Sequence, residues 1–185
     1  MQTNCKARFQ KHLHERDYSN STYINSLEKL TQLLNCTSNS LGDLFIDDCL
    51  WQSQEPFELL KSIDRALKPE ATVVFLEPLM SPVSYTVAVF KHPIGLDLKS
   101  NPFKSLDKEN YAIPSLIFDR IENRLALLQA IPSLTFKKRE RIAITSGLIC
   151  NDSNWHPKLL KLDRFLLPFI GNFCASHMLV ELSKK

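Results

Sequence analysis

Two short apolar runs end on carboxylates, and these acids are the residues best placed to do chemistry. Leu44-Phe45-Ile46 runs into Asp47 and Asp48, and Ala71-Thr-Val-Val-Phe-Leu76 runs into Glu77. Runs of this length, rich in β-branched and aromatic residues, read as buried strands. When such strands lie parallel in an open sheet, ligands bind in the crevice beyond their carboxyl ends. A carboxylate there can accept hydrogen bonds from a ligand or take a proton from an acceptor group. Each acid also has a plainer reading. Asp47 and Asp48 can cap the loop and helix after them, and Glu77 can be a turn carboxylate before Pro78. Trp51 offers a face for stacking or a wall for a substrate pocket, or simply packs in its loop. Tyr85 and His92 follow the second run closely enough to reach the same pocket, although a lone loop histidine is more often a surface residue.

Other reactive residue types lead nowhere comparable. His12 and His14 lie near Cys5, but no further ligand cluster accompanies them, so no metal site is expected. Ser146 lacks the context of a nucleophile elbow. The five cysteines are odd in number, widely spaced and without a CxxC pair, which argues against a disulfide framework and fits reduced thiols. The net charge of +3 is small. Its one dense basic run, Lys137-Lys-Arg-Glu-Arg141, reads as a solvated strand or loop before it reads as a nucleic-acid surface. Met1 to Arg16 has no apolar export core, so a cytoplasmic location is expected, and three glycosylation-type triplets count as chance matches.

The elements that must position the acids follow from periodicity. Residues 1 to 17 read as a frayed or weakly helical lead-in. Tyr23, Leu27, Leu30 and Leu34 recur at helical steps and predict one amphipathic helix, with Ser19, Asn20 or Ser21 as its cap. A polar break follows to Ser40. Pro56 opens a helix with Phe57, Leu59, Leu60, Ile63 and Leu67 as its stripe, set between the two strands in a βαβ unit. Further helices are expected over Tyr85 to Phe90, after Pro114 with Leu116, Ile117, Ile121, Leu125 and Leu128 buried, and after Pro157, the last interrupted near Pro168 and Gly171. Leu134 to Ile144 and Ser176 to Leu182 read as the last two strands. The division expected is a lead-in and helix over 1–40 and an α/β half-domain over 41–185.

Three blocks in this order carry a family likeness. Asp43-Leu-Phe-Ile-Asp-Asp-Cys-Leu-Trp51 resembles the fourth strand and following loop of class I S-adenosylmethionine-dependent methyltransferases. Ala66-Leu-Lys-Pro-Glu-Ala-Thr-Val-Val-Phe-Leu-Glu-Pro78 resembles their "LKPGG-strand-EP" signature. Ser81-Pro-Val-Ser84, His92-Pro93 and Ala112-Ile-Pro-Ser-Leu-Ile-Phe118 are similar to a bacterial subgroup of these enzymes. The likeness covers about Leu41 to Leu182. It implies an incomplete Rossmann-like sheet, with a parallel βαβ unit and an antiparallel pair made by the last two strands. It implies S-adenosylmethionine as cofactor, with Asp47, Asp48 and Trp51 near it, Glu77 and His92 as catalytic candidates and Tyr85 near a small-molecule, lipid or glycan acceptor.

The departures are as informative. No glycine precedes Gly42, so the glycine-rich cofactor loop and the acidic strand end that follow the first two strands of these enzymes are not recognisable. Glu70-Ala71 replaces Gly-Gly, and Trp51 or Gln52 stands where a histidine is usual. In the complete fold the fourth strand pairs with the first, so Leu44-Phe45-Ile46 is expected to lie on an open edge. An apolar edge needs a cover: the Tyr23 to Leu34 helix, a second copy, or a partner chain. Three readings follow: a methyltransferase or a truncated piece of one, a non-catalytic binding or regulatory module of the same descent, and a gene fragment.

Overall fold

The structure, a computed structural model, describes residues 2–35, 38–79, 81–91, 103, 115–143 and 156–185. In chain order its elements are α1 (Gln2–Asp17), β1 (Thr22–Ile24), α2 (Leu27–Leu34), β2 (Leu44–Asp47), α3 (Cys49–Gln52), α4 (Pro56–Ala66), β3 (Thr72–Pro78), α5 (Pro82–Lys91), α6 (Ser115–Asp119), α7 (Ile121–Ala130), β4 (Leu134–Ile142), α8 (His156–Cys174) and β5 (His177–Lys184). The strands form one open sheet in the order β1-β2-β3-β5-β4. The first three run parallel, whereas β5 lies antiparallel to both β3 and β4. This is the mixed α/β architecture expected, with a parallel βαβ unit and an antiparallel pair at the carboxyl end.

The central strands are apolar on both faces because both faces are covered. All four residues of β2 are buried, and Val73, Val74, Phe75 and Leu76 of β3 are buried in turn. Side chains alternate across a strand. Val73 and Phe75 therefore join Leu44, Ile46, Val180 and Leu182 in the larger core, under α2, α4 and α6. Val74 and Leu76 join Phe45 and Leu179 on the opposite face, where Leu13 and Tyr18 pack. Lys184 ties the end of β5 to the carboxyl end of α4, donating to the carbonyls of Asp64 at 2.6 Å and Leu67 at 2.9 Å. A cation there satisfies carbonyls that the helix leaves unpaired.

Four expectations need correction. Tyr23 to Leu34 is not one helix. Thr22-Tyr23-Ile24 is a strand pairing residue for residue with Leu44-Phe45-Ile46, and the helix begins only at Leu27. The four-residue step from Tyr23 to Leu27 mimics a helical period but joins a strand residue to a helix residue. For the same reason β2 is not an open edge, since the chain supplies its own cover. The helix after Pro114 is two short pieces, and Ile121 and Leu125 are exposed, not buried. The last helix passes through Pro168 and Gly171 without a break. Outside these four, the lead-in over residues 1–17, read as frayed or weakly helical, is helical over Gln2–Asp17.

Candidate functional site

The carboxyl ends of β1, β2 and β3 lie side by side, as parallel pairing requires, and β5 begins at the same rim because His177 pairs with Pro78. The sequence-predicted acids Asp47, Asp48 and Glu77 meet here. Asp47 is 1% exposed and Glu77 is fully buried. Each takes hydrogen bonds from its own chain. The Tyr23 hydroxyl donates to Asp47 Oδ2 at 2.6 Å. The Leu50 amide donates to Glu77 Oε1 at 2.9 Å, supplying an acceptor to the start of α3. Asp48 sits in the left-handed region, with φ 54°, where the chain turns from β2 into α3. Aspartate tolerates that region better than most residues. Its Oδ2 accepts a bond from Gln10 Nε2 at 3.2 Å.

Gln10 belongs to α1, and sequence reasoning did not foresee that helix at the rim. Phe9 and Gln10 are both buried. The Phe9 ring lies 6.0 Å from the His177 ring, and His177 Nδ1 is 2.9 Å from Ser176 Oγ. His14 of the same helix packs on Tyr23 and Phe45, with centroids 4.7 and 5.3 Å apart. The signal available was Phe9 and Leu13, one helical step apart in a polar stretch. Tyr23 and His177 were also missed as rim residues. Tyr23 was read into a helix, and His177 is a lone polar residue at the head of an apolar strand.

Burial and clustered negative charge set the protonation of the neighbours. The Cys49 thiol is pushed up to about 12, first by burial and then by Glu77, Asp47 and Asp48. It is therefore a neutral thiol and no nucleophile. The Tyr23 phenol is held well above its ordinary value, by burial first and then by its bond to Asp47. It acts as a fixed donor. Among the described residues no group of three or more His, Cys, Asp and Glu could hold a metal ion.

Of the remaining predicted residues, Trp51 lies within α3, and Tyr85, half-buried, lies within α5. His92 falls outside the described residues. A cavity of about 760 Å³ opens between α1, β4 and α8. Phe9, Leu13, Arg16, Lys138 and Arg164 line it, and none of the three rim acids does. Its size is that of small-molecule sites.

No protein-family model matches the chain, and no curated protein matches it. Solved structures do resemble it. A SAM-dependent methyltransferase from Archaeoglobus fulgidus is 12% identical with a TM-score of 0.48, the match covering 100% of this chain and 95% of that one. Geranyl diphosphate C-methyltransferase from Streptomyces coelicolor A3(2) is 9% identical with a TM-score of 0.43, over 83% of this chain. An N-methyltransferase from Haemonchus contortus, in complex with phosphomonomethylethanolamine and S-adenosylhomocysteine, is 12% identical with a TM-score of 0.41, over 95% of this chain. The chain spans only 51% and 46% of the latter two. The sheet itself is mixed, with parallel strands on one side and β5 inserted antiparallel between β3 and β4.

At the rim as arranged, Asp47 Oδ2, Glu77 Oε1 and Asp48 Oδ2 already accept from the chain itself. A cofactor held at strand ends needs acceptor oxygens turned toward a cleft. Asp47 and Glu77 are buried against Tyr23 and Leu50, and Gln10 lies on Asp48.

Proposed function

We propose that this chain is a binding or regulatory module of methyltransferase-like fold, with the rim of the sheet closed by its own α1. The observation that carries this reading is the seating of Phe9 on His177 and of Gln10 on Asp48, both α1 side chains being buried. The cavity beside α1 supports a binding role, since it has ligand-like volume and walls that mix apolar, basic and acidic residues. Free Cys49 and Cys174 are in keeping with a reducing, cytoplasmic setting. Among the described residues no helix is long and apolar enough to cross a membrane.

A second reading is an S-adenosylmethionine-dependent methyltransferase acting on a small-molecule, lipid or glycan acceptor. It is favoured by three acids at the ends of adjacent parallel strands, the usual ligand position on open α/β sheets. In it Asp47, Asp48 and Trp51 hold the cofactor, Glu77 and His92 serve the transfer, and Tyr85 contacts the acceptor. Methyl transfer asks mainly for orientation and exclusion of water, so the readings part at cofactor binding. Isothermal titration of the chain with S-adenosylmethionine and S-adenosylhomocysteine separates them. The module reading expects only heats of dilution for both. Saturable binding near one to one overturns it in favour of the enzyme, and Asp47→Asn and Asp48→Asn should then weaken that binding.

A further inference from the structure

The helix α8 wears its apolar residues on the outside. Leu162, Phe165, Phe169, Ile170 and Phe173 are exposed, with Phe165 at 69% and Phe169 at 73%. At 100° per residue, Leu162, Phe165, Phe169 and Phe173 fall within a sector of roughly 80°. The Phe165 and Phe169 rings lie 5.9 Å apart, so the stripe is continuous. The opposite side of the helix, with Leu160, Asp163, Leu167 and Gly171, lines the cavity against α1 and β4. The apolar sector therefore points away from the body of the protein. Scattered exposed apolar residues need no explanation, but a contiguous aromatic stripe marks a binding face.

Charge selects the occupant. Lys158, Lys161 and Arg164 are exposed on the same helix, and its one acidic residue, Asp163, is buried. Lys161 flanks the apolar sector on one side and Lys158 stands at its amino-terminal end, whereas Arg164 lies on the cavity side of the helix. A second copy of this helix would bring no exposed acid to meet that flank. An anionic lipid surface supplies both partners at once: acyl chains for the phenylalanines and headgroup charge for the basic residues. A helix of 19 residues with this pattern lies in the interface and does not span it.

We propose that α8 docks the protein onto anionic membrane surfaces, with Phe165, Phe169 and Phe173 inserted among the lipids and Lys158 and Lys161 against the headgroups. The proposal is independent of whether the rim binds a cofactor. It is tested by co-sedimentation of the full chain with vesicles of phosphatidylcholine alone and of phosphatidylcholine with about a third phosphatidylserine. The solution mass is recorded alongside.

The expected result is binding at least tenfold tighter to the phosphatidylserine vesicles, weakened by salt. Phe165→Asp with Phe169→Asp should lower it at least tenfold. Lys158→Glu with Lys161→Glu should abolish the preference for phosphatidylserine while leaving the circular dichroism spectrum unchanged. All four side chains are exposed, so neither pair of substitutions threatens folding. Absence of binding, equal binding to both vesicles, or binding that survives both variants overturns the proposal. So does a wild-type dimer that leaves vesicles alone and becomes monomeric in the phenylalanine variant, which would make the stripe an interface between copies.

Discussion

The rim and α8 invert the usual distribution of polarity in opposite ways. At the rim, carboxylates are inside: Asp47 and Glu77 are buried, and Asp48 is covered by Gln10. On α8, phenyl rings are outside. The rim acids are met by donors from the same chain, namely Tyr23, Leu50 and Gln10. The phenyl rings of the α8 stripe, by contrast, are turned to the surface. A buried polar group must be satisfied internally or it costs free energy. An exposed ring costs the fold little, because stability does not depend on covering it. The rim therefore reads as architecture and α8 as a surface for an external partner.

The same substitution made in two places should show this contrast at its largest. Phe75→Ala removes a fully buried ring of the central strand and should destabilise by about 3–5 kcal/mol. Phe169→Ala should change stability by no more than about 0.5 kcal/mol. Urea denaturation of both variants checks the pair, and equal losses would mean α8 is packed after all. Tyr23→Phe comes next. It deletes the donor to a buried carboxylate and should cost about 1–3 kcal/mol, whereas a neutral outcome would show that Asp47 does not depend on that phenol.

A smaller gain is expected at Glu70, which has φ 67° in the turn before β3. Glycine has no steric penalty in that region, so Glu70→Gly should stabilise by about 1 kcal/mol, read as a raised melting temperature. The least effect at neutral pH comes from Cys49. Its folded pKa is raised from 9.0 to about 12, so its contribution is intact below pH 9 and is lost as pH climbs toward 12. Wild-type stability should fall over that window more steeply than that of Cys49→Ala, measured by denaturant midpoint against pH.

How far the sequence revealed these regions depended on run length. Leu44 to Asp47 and Thr72 to Pro78 were legible because they are continuous apolar runs closed by acids, and their parallel pairing followed from the helix between them. Three-residue β1 was not legible. It is too short to show alternation, and Tyr23 stands one helical step before Leu27. The gathering of Asp47, Asp48 and Glu77 was foreseen, but their donors were not, since Gln10 lies 38 residues from Asp48 and Leu50 lies 27 from Glu77. Periodicity revealed that the residues after Pro157 form a helix. It could not tell an apolar face turned inward from one turned outward, because both follow the same 3.6-residue repeat.

The closure of the rim by α1 is tested most directly by nuclear Overhauser spectroscopy of the Phe9 and His177 rings, without and with excess S-adenosylhomocysteine. With ring centroids 6.0 Å apart, a cross-peak is expected in the free protein and should persist unchanged when the nucleoside is added. A cross-peak absent from the free protein, or one that disappears in saturable fashion on addition, would show that the rim is open to a cofactor and would contradict the account.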